Sequence, residues 1–169
     1  MAKKLLIALA AIMGLSILAF AANKPNFSGT WTMDRARSFG MPGDMTQVLT
    51  ITQTDDKIEV ETKIIQPNNE RTVKDTFFLD GKEHEFTPPT PANAPAGQTP
   101  PKGKRTTTWL PGDAGLTVTD VTTAETPEGA ATTQNVRKWT INTQGELVID
   151  SYFDSPRGSF EAKRIFKKQ

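Results

Sequence analysis

Residues that could perform acid–base, metal or nucleophilic chemistry are few in this chain of 169 residues. There is no cysteine, and the single histidine, His84, lies between Glu83 and Glu85. A zinc site would need carboxylates almost alone, which is an unusual ligand set for that metal. Asp55 and Asp56 adjoin in a turn-like stretch, where such residues ordinarily stabilise the turn. Since no phosphate-binding loop, dinucleotide fingerprint or nucleophile elbow is present either, we expect no enzyme, no metal site and no cofactor.

Arginine and tryptophan side chains offer binding chemistry instead. They occur on segments with the two-residue period of a β-strand, where they share one face with apolar residues. The candidate ligand-binding residues are Arg71, Arg105, Trp109, Arg137 and Trp139. A packed core disfavours buried guanidinium groups, whereas a hydrated cavity for an amphipathic ligand could use them. The alternative is that these faces are reversed, with the arginines in water.

Ten short segments have the composition of β-strands. In the clearest, residues 57–65, Ile58, Val60, Thr62 and Ile64 alternate with charged residues. The predicted strands are residues 29–34, 45–53, 57–65, 71–79, 82–86, 104–110, 116–123, 132–141, 145–153 and 159–166. Because almost every connection is as short as a hairpin turn, the pattern predicts an all-β fold. We expect an antiparallel up-and-down β-barrel of about eight to ten strands in a single domain, with a two-sheet sandwich as the alternative.

Residues 88–104 interrupt this pattern with six prolines and two glycines. Proline cannot donate a hydrogen bond to a sheet, so we expect a proline-rich loop here. A linker between two domains is less favoured, because neither flank has enough strands to bury a core alone. If the barrel carries a ligand, this loop is expected at its open mouth.

Phe27, Gly29 and Trp31 form a Phe-x-Gly-Thr-Trp motif at the beginning of the first predicted strand. This motif resembles the opening of the lipocalins and of the intracellular fatty-acid-binding proteins, the two branches of the calycin group. The resemblance implies a barrel whose end is plugged by Trp31, with Gly29 allowing the backbone to pass close beneath the ring. In lipocalins a late basic residue packs across the motif tryptophan, and Arg164 is the candidate here. In fatty-acid-binding proteins an Arg-x-Tyr pair holds the ligand carboxylate; here Phe166 replaces the tyrosine, which favours the plug role for Arg164.

The amino terminus has the order of a secretory signal peptide. Lys3 and Lys4 precede an apolar run over residues 5–20, and residues 19–21 (Ala-Phe-Ala) fit the small-x-small cleavage rule. We therefore expect cleavage after Ala21, which leaves a barrel domain of residues 22–169 in the periplasm or outside the cell. An uncleaved membrane anchor is the alternative.

The formal net charge of +1, without a block of lysines and arginines, argues against a nucleic-acid partner. Together these features predict an exported, lipocalin-like binding protein for a small hydrophobic or amphipathic ligand. The alternative is a filled β-barrel that acts through protein–protein contacts, as an inhibitor or an envelope accessory protein. Cavity volume separates these two hypotheses, since a void beyond a few hundred cubic ångströms would favour the ligand-binding protein.

Overall fold

The computed structural model describes residues 24–41, 43–88, 101–126 and 129–169. Within these ranges, ten antiparallel strands form a nearly closed up-and-down barrel in one domain, which confirms the predicted fold class. The short helical segments in the described ranges are two 3₁₀ turns, Arg35–Arg37 and Pro111–Asp113. The strands are β1 (Gly29–Met33), β2 (Thr46–Gln53), β3 (Lys57–Gln66), β4 (Asn69–Phe78), β5 (Glu83–Phe86), β6 (Lys102–Trp109), β7 (Leu116–Thr126), β8 (Gly129–Ile141), β9 (Leu147–Ser155) and β10 (Gly158–Lys168).

Strands that follow one another in the chain pair with one another, except at one place. The order in the sheet is β4-β3-β2-β1-β10-β9-β8-β7-β6-β5, so β4 and β5 are its two edges. We call the gap between β4 and β5 the seam. Contacts between β4 and β6 reach across it. The barrel is therefore closed by strand pairing everywhere except at the seam, where only side-chain contacts can hold the two edges together.

Aromatic packing closes one end of the barrel. Trp31 is only 2% exposed, and its indole N–H donates to the carbonyl of Phe27 at 2.8 Å. The rings of Phe27 and Phe77 meet Trp139 edge-on, with centroids 6.0 and 5.4 Å apart. Such large rings bury much apolar surface and prefer this edge-to-face geometry. The other buried members of this core are Met33, Leu49, Ile51, Ile58, Val60, Leu116, Val118, Leu147, Ile149 and Phe166.

The cation over the Trp31 ring belongs to Lys168. Its Nζ lies 5.3 Å from the ring centroid, and its Cε lies 2.7 Å from where a Cβ on Gly29 would be. Gly29 also has a φ of +130°, which favours glycine. In the structure, Lys168 is the basic residue that packs across Trp31, a position that was expected for Arg164. The reason is the register: Trp31 is opposite Lys168, and Arg164 lies about 13 Å further along β10.

The opposite end of the barrel receives the β3–β4 and β9–β10 turns. The carboxyl end of β5 and the beginning of β6 point the same way, because Phe86 pairs with Gly103. Since β6 begins at Lys102, the last residues of the predicted loop 88–104 belong to a strand. Residues 89–100 of that loop lie outside the described residues.

The predicted signal peptide, residues 1–21, also lies outside the described residues. Within the four described ranges, no helix is both long and apolar enough to cross a membrane.

Candidate ligand-binding site

A cavity of about 270 Å³ lies inside the barrel beside the aromatic core. Its volume is slightly below the roughly 300–1,000 Å³ of pockets that hold drug-sized molecules. The apolar part of its wall is formed by Leu49, Val60, Ile64, Val73, Phe77, Trp139, Ile149 and Phe166. The polar part is formed by Gln47, Thr62, Arg71, Asp75, Arg137 and Arg164. The volume does not exceed a few hundred cubic ångströms, so it does not by itself separate the ligand-binding hypothesis from the filled barrel; it would hold only a small occupant.

Three of the five predicted ligand-binding residues line this cavity: Arg71, Arg137 and Trp139. The faces of β4 and β8 that carry Arg71 and Arg137 therefore point into the barrel, as the ligand-binding interpretation expected. The alternative was that these faces are reversed. Arg71 is largely exposed, whereas Trp139 is buried. Trp109 lies at the closed end, where Nζ of Lys24 is 4.8 Å from its ring centroid. Arg105 faces the seam.

Arg105 is 5% exposed and is held by four hydrogen bonds. Its Nε and Nη2 donate to the two oxygens of Asp120 at 2.6 and 2.9 Å. Its Nη1 donates to Asp75 at 2.9 Å and to the carbonyl of Thr76 at 3.3 Å. Burial lowers the pKa of Arg105, but the hydrogen bonds and charges of Asp120 and Asp75 outweigh it and raise the pKa above its ordinary value. Because Asp75 and Thr76 belong to β4, Arg105 ties β6 to β4 across the seam.

Two aromatic rings enclose the same guanidinium. The Arg105 carbon Cζ lies 4.5 Å from the ring centroid of Phe77 and 4.2 Å from that of Phe86. Phe86 can approach because it is paired with Gly103, where a Cβ would come within 2.5 Å of the ring. Cations over aromatic faces are attracted by the ring quadrupole, most strongly when they are desolvated. From its place on β6, Arg105 thus contacts β4, β5 and β7, and its contacts with β4 and β5 make it the bridge that closes the seam.

Arg137 and Arg164 face the cavity with fewer protein hydrogen bonds than Arg105 has. Nη2 of Arg137 donates to Asp120 at 2.6 Å, while its Nε is buried without a hydrogen-bond partner among the described residues. Nε of Arg164 donates to the sulfur of Met41 at 2.9 Å, and a thioether is a weak acceptor. Burial, followed by the charge of Arg137, lowers the pKa of Arg164. Burial is also the main cause that lowers the pKa of Arg137. Both stay cationic at neutral pH, since arginine titrates far above it.

Two more donors on this inner surface lack a partner within the described ranges. They are the indole N–H of Trp139 and the hydroxyl of Ser151. Ser151 is opposite Arg137 in one ladder and opposite Ala162 in the other, so it belongs to the same inward face. Buried polar groups in proteins are nearly always hydrogen-bonded. Arg137 and Trp139 line the cavity, so their N–H groups without a partner in the described part of the chain are donors that an acceptor inside the barrel would satisfy, whereas Ser151 is not among the residues of the cavity wall.

The ionised groups at the site do not balance. Among the side chains that are buried or half-buried here, Arg105, Arg137 and Arg164 carry three positive charges, and Asp75 and Asp120 carry two negative ones. Arg71 also lines the cavity, but it is exposed and its charge is solvated. The surplus charge lies in a partly buried region, where ions interact more strongly than in water. A bound anion is the chemistry that would satisfy both the surplus charge and the unpartnered donors. No group of metal-ligating side chains comes together in the part of the chain that the structure describes.

Sequence reasoning missed Asp120 and Met41, which are both in contact with these arginines. Asp120 could have been found, because it shares a face of β7 with the buried residues Leu116 and Val118. An acid on an apolar strand face needs a buried cation as its partner. Met41 gave no such signal, since it lies in the irregular connection between β1 and β2.

Neither a model of a known protein family nor a curated protein matches the sequence. The structure is similar to that of the zebrafish ileal bile acid-binding protein in complex with cholic acid. The two chains are 21% identical, the match covers 85% of this chain and 98% of that one, and the TM-score is 0.52. This likeness shows a shared fold, and it supports the resemblance to the calycin group at the level of the fold.

Two further solved structures are more distant. One, described as the REP1-NXSQ fatty acid transporter, is 13% identical over 84% of this chain and 95% of that one, with a TM-score of 0.48. The other is secretory abundant heat soluble protein 4 from Ramazzottius varieornatus. It is 17% identical over 84% of this chain and 94% of that one, with a TM-score of 0.43.

Proposed function

We propose that this protein is a binding protein for a small amphipathic molecule, whose anionic group is held between Arg137 and Arg164 inside the barrel. The observation that carries the proposal is the pair of cavity-facing guanidinium groups with one acid, Asp120, hydrogen-bonded to only one of them. The apolar wall around Phe77 and Phe166 would take the hydrocarbon part of the ligand. The similar zebrafish protein is in complex with cholic acid, which supports a fold able to enclose an amphipathic acid.

The energetics favour an anion at this position. Hydrogen bonds between guanidinium groups and carboxylates are charge-assisted and roughly twice as strong as neutral ones. Burial is the main cause that lowers the pKa of Arg164, and the like charge of Arg137 lowers it further, so the two guanidinium groups repel each other. An anion between them would relieve that repulsion and replace the weak acceptor that Met41 provides. Arg164 would thereby take the ligand-binding role that sequence analysis held as its second possibility.

The proposal is tested by calorimetric titration of the protein with octanoate and with 1-octanol, which has the same chain length and no charge. We expect octanoate to bind with a stoichiometry of one. We expect octanol to bind at least about tenfold more weakly, because a hydrogen bond to a charged group contributes about 1.5–3 kcal/mol. Equal binding of the two probes would contradict an anion site, and binding of neither would contradict a small-ligand function.

The substitution Arg164→Met should separate binding from stability. Octanoate affinity should fall about tenfold or more, because a charge-assisted hydrogen bond is lost. The free energy of unfolding should stay equal or rise, since no carboxylate loses a partner and a partly buried, repelled charge is removed. Calorimetric titration and urea unfolding measure the two effects.

The matched control is Lys163→Met, the neighbouring residue on β10, which pairs with Asp150 on the outside of the barrel. It removes the same charge without reaching the cavity, so octanoate affinity should not change. Unfolding of the Arg164→Met variant at much lower urea, together with unchanged octanoate affinity, would show that Arg164 is structural.

We also propose that the protein is exported and works in the periplasm or outside the cell. The support is the order of basic, apolar and small residues over residues 1–21. Expression of the full chain in a host with a secretory pathway, followed by amino-terminal sequencing, should find Ala22 as the first residue in the periplasmic or culture fraction. Recovery of a chain that begins at Met1 from the membrane fraction would contradict this.

A further inference from the structure

We infer that the ligand is a small monoanion that also carries a hydroxyl group, and that Asp75 selects it by accepting a hydrogen bond from that hydroxyl. This inference rests on the proposed function and names the class of ligand for the same cavity.

The first argument is the charge balance of the site. Among the buried and half-buried groups, one positive charge remains after Asp75 and Asp120 are set against Arg105, Arg137 and Arg164. The fourth arginine of the cavity wall, Arg71, is exposed, so its charge is solvated. A ligand with one negative charge makes the site neutral, whereas a second negative charge would lie uncompensated in a partly buried region. Burying an unpaired charge is costly. The site therefore suits a monoanion and disfavours a dianion.

The second argument is the position of Asp75. Its carboxylate lines the same cavity as Arg137 and Arg164, and its side chain is 25% exposed. One oxygen, Oδ1, accepts from Arg105 at 2.9 Å. An ionised carboxylate has about four acceptor sites on its two oxygens, so Asp75 keeps acceptor capacity for a ligand. It repels a ligand acid and attracts a ligand donor, and a hydroxyl is the neutral donor that leaves the charge balance unchanged.

The third argument is the rest of the polar wall. Gln47 is 7% exposed and Thr62 is half-buried, and both line the cavity together with Asp75. A plain hydrocarbon chain would leave these groups facing apolar atoms, which costs free energy for each unsatisfied polar group. A substituent that can both donate and accept, as a hydroxyl does, fits this mixed wall better. The volume of about 270 Å³ also limits the ligand to a small acid.

The test is a calorimetric titration of the wild-type protein with four probes: octanoate, 3-hydroxyoctanoate, 8-hydroxyoctanoate and octanedioate. We expect at least one hydroxy acid to bind about tenfold more tightly than octanoate, as a hydrogen bond to a carboxylate implies. We expect octanedioate, which has two negative charges, to bind more weakly than octanoate.

The outcomes separate this inference from the proposed function. If octanoate binds as tightly as both hydroxy acids, or if octanedioate binds most tightly, the inference is overturned and the anion site stands. If none of the four probes binds, the proposed function is contradicted, and so is the inference that rests on it.

The variant Asp75→Asn tests whether Asp75 is the residue that selects the hydroxy acid. Asparagine keeps an oxygen that can accept from Arg105, but it removes the negative charge. The preference for the hydroxy acid should shrink several-fold, and octanedioate should gain affinity relative to octanoate. The matched control is Glu61→Gln on β3, whose carboxylate pairs with Lys74 at 3.1 Å on the outside of the barrel. If the order of affinities is unchanged in Asp75→Asn, Asp75 is not the selecting residue. If that variant does not fold, the four affinities measured with the wild-type protein decide whether the inference holds.

Discussion

Replacing Arg105 by leucine is expected to lower the free energy of unfolding by about 3–5 kcal/mol, the cost of breaking a buried ion pair by removing one partner. The variant leaves Asp120, which is 8% exposed, with Arg137 as its hydrogen-bonded cation and leaves Asp75 without its ion-pair partner. It also removes the cation that lies between the rings of Phe77 and Phe86. Because strand pairing is absent at the seam, nothing in the sheet ladder replaces the lost contact between β4 and β6.

Urea unfolding followed by circular dichroism measures this loss. The double variant Arg105→Leu/Asp75→Leu should recover part of the stability, because it also removes the carboxylate that the single variant leaves without its ion-pair partner, while Asp120 keeps Arg137. Arg71→Leu is the control, since Arg71 is an exposed arginine and should change stability by less than about 0.5 kcal/mol. A loss below about 1 kcal/mol for Arg105→Leu would show that the bridge is not what closes the seam.

The strands could be predicted from the sequence because their signals are local. Alternation along β3 follows from one face in water and one in the core, and the turns between strands have characteristic residues. The same period placed Arg71 on one face with Val73 and Phe77, and Arg137 on one face with Trp139, and in the structure all of these residues line the cavity. What the pattern could not decide was whether those faces point inward or outward, because polar and apolar residues are mixed on them.

The functions of individual arginines could not be predicted, because they depend on register and on contacts between distant strands. Arg164 was expected at the tryptophan plug, but the pairing of β1 with β10 ends at Lys168, which takes that position. Arg105 was expected to bind ligand, yet its partners lie 15 and 30 residues away in sequence, on β7 and β4. Neither contact has a local sequence signature. The acid Asp120 on an apolar strand face was the one signal that could have revealed the cluster.

Trp31→Ala is expected to lower the free energy of unfolding by about 3–5 kcal/mol, as large aromatic truncations in a core do. The Trp31 side chain is 2% exposed, so its loss opens a cavity at the closed end. The carbonyl of Phe27 loses the indole N–H that binds it at 2.8 Å. Trp109→Ala should cost distinctly less, because Trp109 is only partly buried at the edge of the core.

Double-mutant cycles test which cation belongs to the plug. The coupling of Trp31→Ala with Lys168→Ala should be about 0.5–1 kcal/mol, the range for an exposed cation–π contact. The coupling of Trp31→Ala with Arg164→Met should be close to zero, because Arg164 lies four residues away on β10 and faces the cavity. Chemical unfolding of the single and double variants gives both couplings. A large coupling to Arg164 with none to Lys168 would reverse the assignment, and it would place the arginine in the plug instead of the ligand site.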